Sequence, residues 1–356
     1  MERISLLAGS EEVIEASLAS IDAAREEVLL AMYWLGDDDV GKRVLDALGR
    51  AAERGVTTRL SVDGFGSILL GSARLDELRA RGAEALVFHP LSPFASRFAP
   101  DSVTVRDHRK LLVIDRARAI VGGVNFAQPP GPPWRDYAAC VESPRVARLL
   151  ARHFFTTWRR SGGAPPASPP PREARSPKIE VLAAGGLHHA RAVRLAYLVA
   201  LRAARRTVLI EHAYFVPDRA VLQAILRAAK RGLEVRVVLP EWSDVTVVSL
   251  ASHAIVSRLQ RAGAHVHLLR APILHAKAAV IDGWATVGSA NLDHVSLRNN
   301  LELNVATHDP AFVAALTREI RADIARSGEL SRETWKARPL LRRFAERAAY
   351  QFRKLL

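Results

Sequence analysis

A chain of 356 residues allows two domains of ordinary size or one large domain, and its 49% apolar content excludes global disorder. Lys and Arg (51) outnumber Asp and Glu (37), which gives a formal charge of +14 and predicts anionic partners, either nucleic acid or a membrane surface. The single cysteine, Cys140, excludes an intrachain disulfide framework and fits a reducing compartment. The apolar run at residues 28–35 is too short to span a bilayer, which takes about 20 residues, and no secretory signal is recognisable at the N-terminus.

The first predicted elements form a strand–helix–strand unit. The apolar run VLL at residues 28–30 predicts a strand, and ALGRAAERGV at residues 47–56 predicts a helix that ends at Gly55. The segment TTRLSVD at residues 57–63 alternates apolar and polar residues, which predicts a second strand. This order is that of a βαβ unit.

The next segment carries the residues suited to chemistry, since residues 106–125 read RDHRKLLVIDRARAIVGGVN. His108 and Lys110 are two positions apart, so on a strand both side chains emerge on one face. The Gly-Gly-x-Asn stretch that contains Gly123 and Asn125 predicts a tight turn through which the backbone can approach an anion. Lysine charge, asparagine amide and histidine nitrogen together indicate a phosphate-binding site with a nucleophile.

A proline-rich stretch, SGGAPPASPPPREARSP at residues 161–177, contains six prolines and cannot form a helix or a central strand. It predicts a semi-rigid linker at residues 161–178. The linker separates an N-terminal domain at residues 1–160 from a C-terminal domain at residues 179–330.

The second domain repeats the first. AILRAAKRGL at residues 224–233 matches residues 47–56 at an offset of 177, with VLI before it and EVRVVLP after it. Residues 273–291, ILHAKAAVIDGWATVGSAN, then place His275 and Lys277 as in the first copy and end in Ser289 and Asn291. A lone histidine is more often structural, but two histidines in duplicated contexts favour catalysis.

Two copies make chemical sense if the halves face each other across one phosphodiester. Displacement at phosphorus through a covalent intermediate needs one nucleophile and one group that protonates the leaving oxygen, and each half offers a histidine. The lysines and asparagines would bind the non-bridging oxygens, with Gly123 and Ser289 in the phosphate-binding turns.

Four carboxylates complete the candidate set. Asp136 follows His108 by 28 residues and Glu302 follows His275 by 27, so we predict that these carboxylates orient the imidazoles. Asp115 and Asp282 each follow a histidine by seven residues and belong to the same motif. They lie at the ends of buried strands, which favours capping or salt-bridging at the turn over substrate contact.

Residues 331–356 carry eight Lys and Arg against two Glu. Apolar residues recur at helical spacing, and arginines surround them, so we predict a basic amphipathic helix. It could lie on an anionic bilayer or dock on the protein's own core. The apolar stripe consists of Leu341, Phe344, Ala348, Phe352 and Leu355.

HRKLLVID with VGGVN, and LHAKAAVID with VGSANLD, resemble the paired HKD motifs of the phospholipase D superfamily. The flanking segments SIDAAREEVLLAMYWL, AYFVPDRAVLQAILRAAKRGLEVRVVLP and SLRNNLELN resemble bacterial cardiolipin synthases, most closely the shorter B type. The resemblance implies two pseudo-twofold-related αβα sandwich domains with mixed sheets. Two departures are Ala31, where the family often has a glutamate like Glu211, and the proline-rich FAQPPGPPW after Asn125.

The resemblance implies that one histidine attacks a phosphatidylglycerol and releases glycerol, and that a second phosphatidylglycerol then takes the phosphatidyl group to give cardiolipin. The family assignment makes His108 the nucleophile and His275 the acid and base. No cofactor or metal is implied, no zinc-type cluster is recognisable, and no protein partner is inferred. We expect a cytoplasmic protein, peripheral on the inner face of the bacterial membrane.

Three functions stay open from the residues. The first is the phosphatidyl transferase, with hydrolysis by water as a phospholipase D-type variant. The second is a nuclease or phosphodiesterase that uses the same twin-histidine site, for which the charge of +14 is equally suitable. The third is a catalytically silent lipid-binding module, which the two intact His-Lys pairs disfavour.

Overall fold

Two large mixed β-sheets, one from each half of the chain, form the framework in a computed structural model. The structure describes residues 2–91, 105–129, 131–166, 176, 178–185, 191–243 and 245–353. Most of the predicted linker and Leu355 of the predicted C-terminal stripe lie outside these described residues.

The first sheet is built from the elements before residue 161. The strands and helices of this half are β1 (Arg3–Ala8), α1 (Ser10–Asp22), β2 (Glu27–Met32), α2 (Asp39–Glu53), β3 (Thr57–Asp63), α3 (Gly71–Ala80), β4 (Glu84–Phe88), β5 (Lys110–Ile114), β6 (Arg118–Gly122), β7 (Trp134–Arg135), β8 (Tyr137–Glu142) and α4 (Pro144–Arg160). The strand order is β1-β8-β6-β5-β2-β3-β4, and β2, β3 and β4 run parallel while the others pair antiparallel.

The second half repeats this arrangement. Its elements are β9 (Ile179–Ala184), α5 (Ala192–Ala203), β10 (Thr207–His212), α6 (Arg219–Lys230), β11 (Glu234–Pro240), α7 (Thr246–Ala254), α8 (Val256–Ala262), β12 (His265–Leu269), β13 (Ile273–Leu274), β14 (Lys277–Ile281), β15 (Trp284–Gly288), α9 (His294–Arg298), β16 (Glu302–Thr307), α10 (Pro310–Arg326), β17 (Gly328–Glu329), α11 (Arg332–Lys336) and α12 (Leu340–Gln351). The order β9-β16-β15-β14-β10-β11-β12, with β17 added at the β12 edge, matches the first sheet. The predicted duplicated α/β fold is confirmed.

Alternate residues of the central strands face opposite layers, as the period of two requires. In β2, Val28 and Leu30 pack outward against α1, α2 and α3, whereas Leu29 points into a core shared by both sheets. In β10, Val208 packs outward against α5 and α6, and Leu209 joins the shared core together with residues of α4 and α10. Each such aliphatic side chain stabilises the fold by about 1.5–3 kcal/mol on full burial. The shared core therefore fixes the two halves against each other.

The two βαβ units end their helices as the sequence predicts. Gly55 and Gly232 adopt φ values of 85° and 83°, directly after the last turns of α2 and α6. This left-handed conformation is the one that glycine adopts without steric cost.

In both sheets the equivalent strand ends point toward the same side of the molecule. Strand β7 pairs parallel with β13, and these lead into β8 and β14 respectively. A second parallel bridge joins Asp107, before β5, to Leu301, before β16. The ends of β2, β3, β10 and β11 therefore lie on the same side as the starts of β5 and β14. We call this side the common edge.

The C-terminal segment differs from the prediction of one helix at residues 331–356. Pro339, which has no backbone N–H, separates α11 from α12. Helix α12 docks on α7 through a face that includes Ala349, and its buried Glu346 accepts a hydrogen bond from Arg338 Nε at 3.0 Å. The predicted apolar stripe is not the docked face: Leu341 is 80% exposed and Phe344 is 71% exposed.

Asp115 and Asp282 lie at the edge opposite the common edge and close a turn in each half. The carboxylate of Asp115 accepts backbone N–H groups of Arg25, Glu26 and Glu27, the last two at 2.8 Å. Asp282 does the same for residues 205–207. Both aspartates have positive φ, which Asp tolerates better than most residues. These two members of the candidate catalytic set therefore do not join the histidines, and the expected structural role fits their contacts.

We expect Asp115→Ala to lower the free energy of unfolding by about 1–3 kcal/mol, because it leaves three backbone donors, the part-buried N–H of Glu27 among them, without this acceptor. Chemical denaturation measures this change. The control is Glu26→Ala, whose side chain is exposed in the same turn and which should change stability by less than about 0.5 kcal/mol. Equal stability of Asp115→Ala and the unsubstituted protein would contradict this role.

Candidate active site

The two motif histidines meet where the halves join at the common edge. The backbone N–H of His108 donates to the carbonyl oxygen of Leu301 at 3.0 Å, and that of His275 donates to the carbonyl oxygen of Arg135 at 2.9 Å. Each bond continues one of the parallel pairings between the halves. The main chain of each half thus positions the histidine of the other.

The orienting carboxylates are exchanged between the halves. Nδ1 of His108 lies 3.1 Å from Glu302 Oε2, and Nδ1 of His275 lies 2.6 Å from Asp136 Oδ2. The sequence distances, counted within each half, paired these residues the other way, and that pairing is wrong. The reason is local: Glu302 directly follows Leu301, and Asp136 directly follows Arg135, so the backbone pairings deliver each carboxylate to the opposite histidine.

This contact determines which ring nitrogen is available for chemistry. When these carboxylates are ionised they can only accept, and Nδ1 of each imidazole then carries the donated proton while Nε2 keeps its lone pair. Lys277 Nζ, which lies near Nδ1 of His275, donates to the carbonyl oxygen of the same residue instead.

Two buried lysines stand at the starts of β5 and β14. Lys110 is 4% exposed and Lys277 is 1% exposed. Lys110 Nζ donates to the carbonyl oxygen of His108 at 2.9 Å, and Lys277 Nζ lies 3.7 Å from Asp136 Oδ2. The strands begin at the lysines, so each histidine precedes its strand. The sequence pattern had predicted that the histidine and the lysine both lie on the strand, and for the histidine this is wrong.

Burial and mutual repulsion shift the pKa values of this cluster. Burial lowers the pKa of Lys110 to about 7 and raises that of Glu302 to about 8. Burial lowers the pKa of His108 well below its usual value, and both lysine charges act in the same direction. Burial and the lysines lower the pKa of His275 to about 4, against the contact with Asp136. A bound anion would favour the protonated form of each base.

The two motif asparagines remain open to a ligand. The side-chain oxygens of Asn125 and Asn291 have no hydrogen-bond partner within the described residues, although both side chains are buried. Asn291 Nδ2 has a long contact with Ser296 Oγ at 3.4 Å. The amide N–H groups at these equivalent positions can donate to non-bridging phosphate oxygens, whereas the unpartnered Oδ1 atoms, which only accept, suit a hydroxyl donor of the ligand.

Gly123 and Ser289 support the orienting carboxylates instead of facing a phosphate, which differs from their predicted role. Ser289 Oγ donates to Glu302 Oε2 at 2.5 Å. At the equivalent position, a Cβ on Gly123 would lie 2.4 Å from both carboxylate oxygens of Asp136. In the second half the Ser289 hydroxyl fills this space, and in the first half the Asp136 carboxylate itself occupies it.

Aromatic rings that the sequence reasoning did not identify flank the histidines. Tyr33 contacts His108 edge-on with ring centres 4.5 Å apart, and Trp134 stacks on His275 at 4.3 Å. Trp34 lies 5.9 Å from Trp134. The sequence does contain a signal that could have placed these rings at the site. Tyr33 and Trp34 directly follow a predicted strand, and Trp134 belongs to the proline-rich segment after Asn125.

Asp63 is a second residue that the sequence reasoning missed. Its buried carboxylate accepts the backbone N–H of Asp107 at 2.8 Å and those of Phe65 and Gly66 at the end of β3. Burial raises the pKa of Asp63 to about 6. Asp63 therefore fixes the segment that leads directly into His108.

No group of three or more His, Cys, Asp or Glu side chains in the described part of the chain could hold a metal ion. What the cluster offers is two imidazoles with available Nε2 atoms, two ammonium groups and two amides. These groups are suited to a displacement at phosphorus in which one imidazole attacks and the other transfers a proton.

The fold occurs in other solved proteins. The phosphatidylserine synthase of Haemophilus influenzae has a TM-score of 0.75 at 13% identity, with 99% of this chain and 95% of that chain covered. The polyphosphate kinase of Porphyromonas gingivalis has a TM-score of 0.64 at 14% identity, with 99% of this chain and 52% of that chain covered. At such low identity these matches show the fold alone.

Sequence comparison is more specific. The family described as "Cardiolipin synthase, PLD-like domain" matches residues 18–158 and 197–324. Cardiolipin synthase B of Escherichia coli K12 is 34% identical over 338 residues, which covers 91% of this chain and 80% of that protein. Cardiolipin synthase A of Pseudomonas aeruginosa is 33% identical over 356 residues, covering 98% and 72%. With both halves matched and the twin-histidine cluster in place, the chain belongs to the cardiolipin synthase family of phospholipase D-like enzymes.

Proposed function

We propose that this enzyme is a phosphatidyl transferase that joins two phosphatidylglycerol molecules into cardiolipin and glycerol. The observation that carries the proposal is the exchange of carboxylates between the halves, which makes one cluster of both histidines and both lysines. The cardiolipin synthases among its relatives support the choice of substrate.

In the first step, Nε2 of His108 attacks the phosphorus of one phosphatidylglycerol. A P–N bond forms, and the P–O bond to the headgroup glycerol breaks. The Nε2–H of protonated His275 gives its proton to the departing glycerol oxygen. Lys110 and Lys277 stabilise the charge on the non-bridging oxygens, and the phosphate anion, by its own charge, favours the protonated form of His275.

In the second step, a headgroup hydroxyl of another phosphatidylglycerol attacks the phosphatidyl-histidine. His275 Nε2 takes the hydroxyl proton, the new P–O bond forms and the P–N bond breaks. Free His108 and cardiolipin result, and His275 is again protonated. One glycerol is released for each cardiolipin formed.

The difference between the two histidines supports His108 as the nucleophile. The 2.6 Å contact between His275 and Asp136 raises the pKa of His275 against the effect of burial, which suits a proton donor. Glu302 instead shares its carboxylate between His108 and Ser289, and burial raises the pKa of Glu302 to about 8. His108 is therefore the imidazole less stabilised in its protonated form, as a nucleophile requires.

The surroundings of the cluster favour an alcohol over water as the acceptor. Tyr33 contacts His108 edge-on, and Trp134 covers the face of the His275 ring. Aromatic walls exclude water and pack against the carbon skeleton of a glycerol headgroup.

We further propose that the enzyme binds the membrane at the common edge, peripherally and on the cytoplasmic face. Exposed apolar side chains follow β3 and β11, and others lie on α12. We call this set the apolar rim: Phe65, Ile68 and Leu69 from the first half, and Trp242, Val245, Val247, Leu340, Leu341, Phe344 and Phe352 from the second. In the described part of the chain no helix is both long and apolar enough to cross a bilayer.

The charges around the apolar rim suit an anionic lipid surface. Arg342 and Arg347 on α12 are exposed beside Leu341 and Phe344. Near a membrane surface each basic residue contributes roughly 1 kcal/mol of attraction to anionic lipid. The apolar side chains would enter the interface while the arginines remain with the headgroups.

The transfer reaction is tested with phosphatidylglycerol vesicles, which we expect to give cardiolipin and glycerol in equal amounts. His108→Ala and His275→Ala should each lower the rate by at least about 10³-fold, because each removes a group that forms or breaks a bond. Lipid chromatography with a glycerol assay measures both products, and plasmid DNA is incubated in parallel.

A phosphatidyl ester of a nitrophenol separates the two histidine roles, because this leaving group departs without a proton. His275→Ala should still release one nitrophenol per enzyme and accumulate a phosphatidyl group on His108, detectable by mass spectrometry. His108→Ala should release none. A stable adduct on His275 would reverse the assignment, and cleavage of DNA with untouched lipid would contradict the transferase itself.

Lys110 gives a pH dependence to substrate binding. Since burial lowers the pKa of Lys110 to about 7, its charge is present below that pH and is lost above it. We expect KM for a short-chain phosphatidylglycerol to rise, by up to about tenfold per pH unit, as pH is raised above about 7. Lys110→Arg keeps its charge at every pH used and should flatten this rise. A KM that does not change with pH in the unsubstituted enzyme would contradict this role of Lys110.

Membrane binding is tested by replacing Leu341 and Phe344 with Glu. Flotation with phosphatidylglycerol vesicles should fall by at least about tenfold, and activity on vesicles should fall with it, because two large apolar side chains leave the interface. Activity on a short-chain, dispersed substrate should remain.

The matched control replaces Leu195 and Val199, exposed on α5, with Glu. These residues line a groove with Asp282, at the edge opposite the apolar rim. Equal loss of vesicle binding in both variants would mean that added negative charge alone is responsible, and that the rim is not the membrane-binding surface.

A further inference from the structure

A cavity of about 700 Å³ on the outer face of the second half is lined by arginines from α5, α6, α9 and the segment after α12. Asp218 is the single carboxylate among its lining residues, so the lining has a formal charge of +6. We call this cavity the arginine groove. Its arginines are Arg194, Arg202, Arg219, Arg227, Arg231, Arg298 and Arg353.

The single carboxylate of the groove is already engaged. Asp218 caps α6 by accepting the backbone N–H groups of Ala220 at 2.7 Å and Val221 at 3.0 Å, and it also contacts Arg194 Nε. Four other arginines have no ion-pair partner within the described residues: Arg202, Arg219, Arg227 and Arg298. Like charges held together without an anion repel each other.

The equivalent place in the first half is neutralised. There Arg50 of α2 donates to Asp22 of α1 at 2.9 Å. Arg227 stands 177 residues after Arg50, the offset of the duplicated helices. The residue equivalent to Asp22 is Arg202, so an ion pair in one half is replaced by two arginines in the other.

A second contact supports this equivalence. Arg54 in the first half donates to the carbonyl oxygen of Ile21 at 3.1 Å. Arg231 in the second half donates to the carbonyl oxygen of Leu201 at 3.4 Å. Since Ile21 and Leu201 immediately precede Asp22 and Arg202, the two helix pairs superpose in register. The exchange of Asp22 for Arg202 is therefore a specific difference between the halves at one site.

The groove has the chemistry of a phosphate site. Planar guanidinium groups bind phosphate oxygens in pairs, and several arginines can share one phosphate. Its floor is apolar, since Leu198, Leu201 and Val216 are buried there, which suits the carbon skeleton next to a lipid phosphate. Val216 follows β10 at the common edge and packs with Ala349 of α12, so one end of the groove opens beside the apolar rim.

We propose that the arginine groove binds the phosphate of an anionic phospholipid, at a second site separate from the reacting lipid. The phosphate chemistry follows from the groove itself, and the lipid as its source rests on the proposed function. Bound at the groove, this lipid holds the second half against the membrane next to the catalytic cluster.

The test variant is Arg202→Asp, which recreates the ion pair of the first half with Arg227 and so keeps the fold. Calorimetric titration of the full chain with glycerophosphoglycerol should give two sites for the unsubstituted protein and one for Arg202→Asp. Flotation with phosphatidylcholine vesicles that contain a minor fraction of phosphatidylglycerol should weaken by at least about tenfold, because Arg202 is lost and Arg227 is held by the new aspartate. The control is Arg148→Asp on α4, an exposed arginine with the same charge change.

Each outcome decides the proposal. Two unchanged sites in Arg202→Asp, or equal losses in both variants, overturn it. The same variants are also titrated with pyrophosphate and with a single-stranded oligonucleotide. Loss of pyrophosphate binding with unchanged vesicle binding makes a free phosphate the ligand and overturns the lipid source. If Arg202→Asp loses binding of a single-stranded oligonucleotide and keeps binding of lipid, the proposal is overturned as well. Cardiolipin formation from short-chain substrate is measured separately, so a failure of the proposed reaction leaves the comparison of Arg202→Asp with Arg148→Asp intact.

Discussion

The contact on which the rest of the structure depends is the hydrogen bond from each histidine to a carboxylate of the opposite half. His108 meets Glu302 and His275 meets Asp136, and neither pair exists within an isolated half. The parallel backbone pairings beside these residues fix the main-chain positions of the histidines and the carboxylates. Little conformational freedom of their side chains then has to be lost to form the hydrogen bonds. The same contacts therefore join the halves and fix the orientation of both imidazoles.

The two halves have equivalent elements, and small departures give equivalent positions different surroundings. Ser289 donates to one orienting carboxylate, whereas Gly123 leaves the equivalent space to the other. Glu211 is buried in β10 beside Tyr137, and its counterpart Ala31 packs into the shared core. Burial and the nearby Asp323 raise the pKa of Glu211 well above its usual value. These asymmetries give the two histidines different surroundings, and the proposed division between attack and proton transfer rests on that difference.

On the outer surface, too, the two halves have equivalent positions that differ locally in residue type and charge. Where the first half pairs Arg50 with Asp22, the second has Arg227 and Arg202 at the equivalent positions, and neither has an ion-pair partner within the described residues. Loops after β3 and β11 expose apolar side chains on the same side because the two sheets share an edge direction. The proposed membrane-binding surface and the histidine cluster both lie at the common edge, so a lipid bound there would be near the reactive groups.

The sequence by itself determined the local elements and the chemical kit: the βαβ units with Gly55 and Gly232, the duplicated motifs, and the choice of histidine, lysine and asparagine. These depend on short-range periodicity and on the repeat, both of which are visible in one dimension. It could not determine which carboxylate serves which histidine, that Trp134 stacks on His275, or that Leu341 and Phe344 remain exposed while Ala349 is buried. Such contacts join residues more than a hundred positions apart or choose one helix face over another, so only the packing of the two halves decided them.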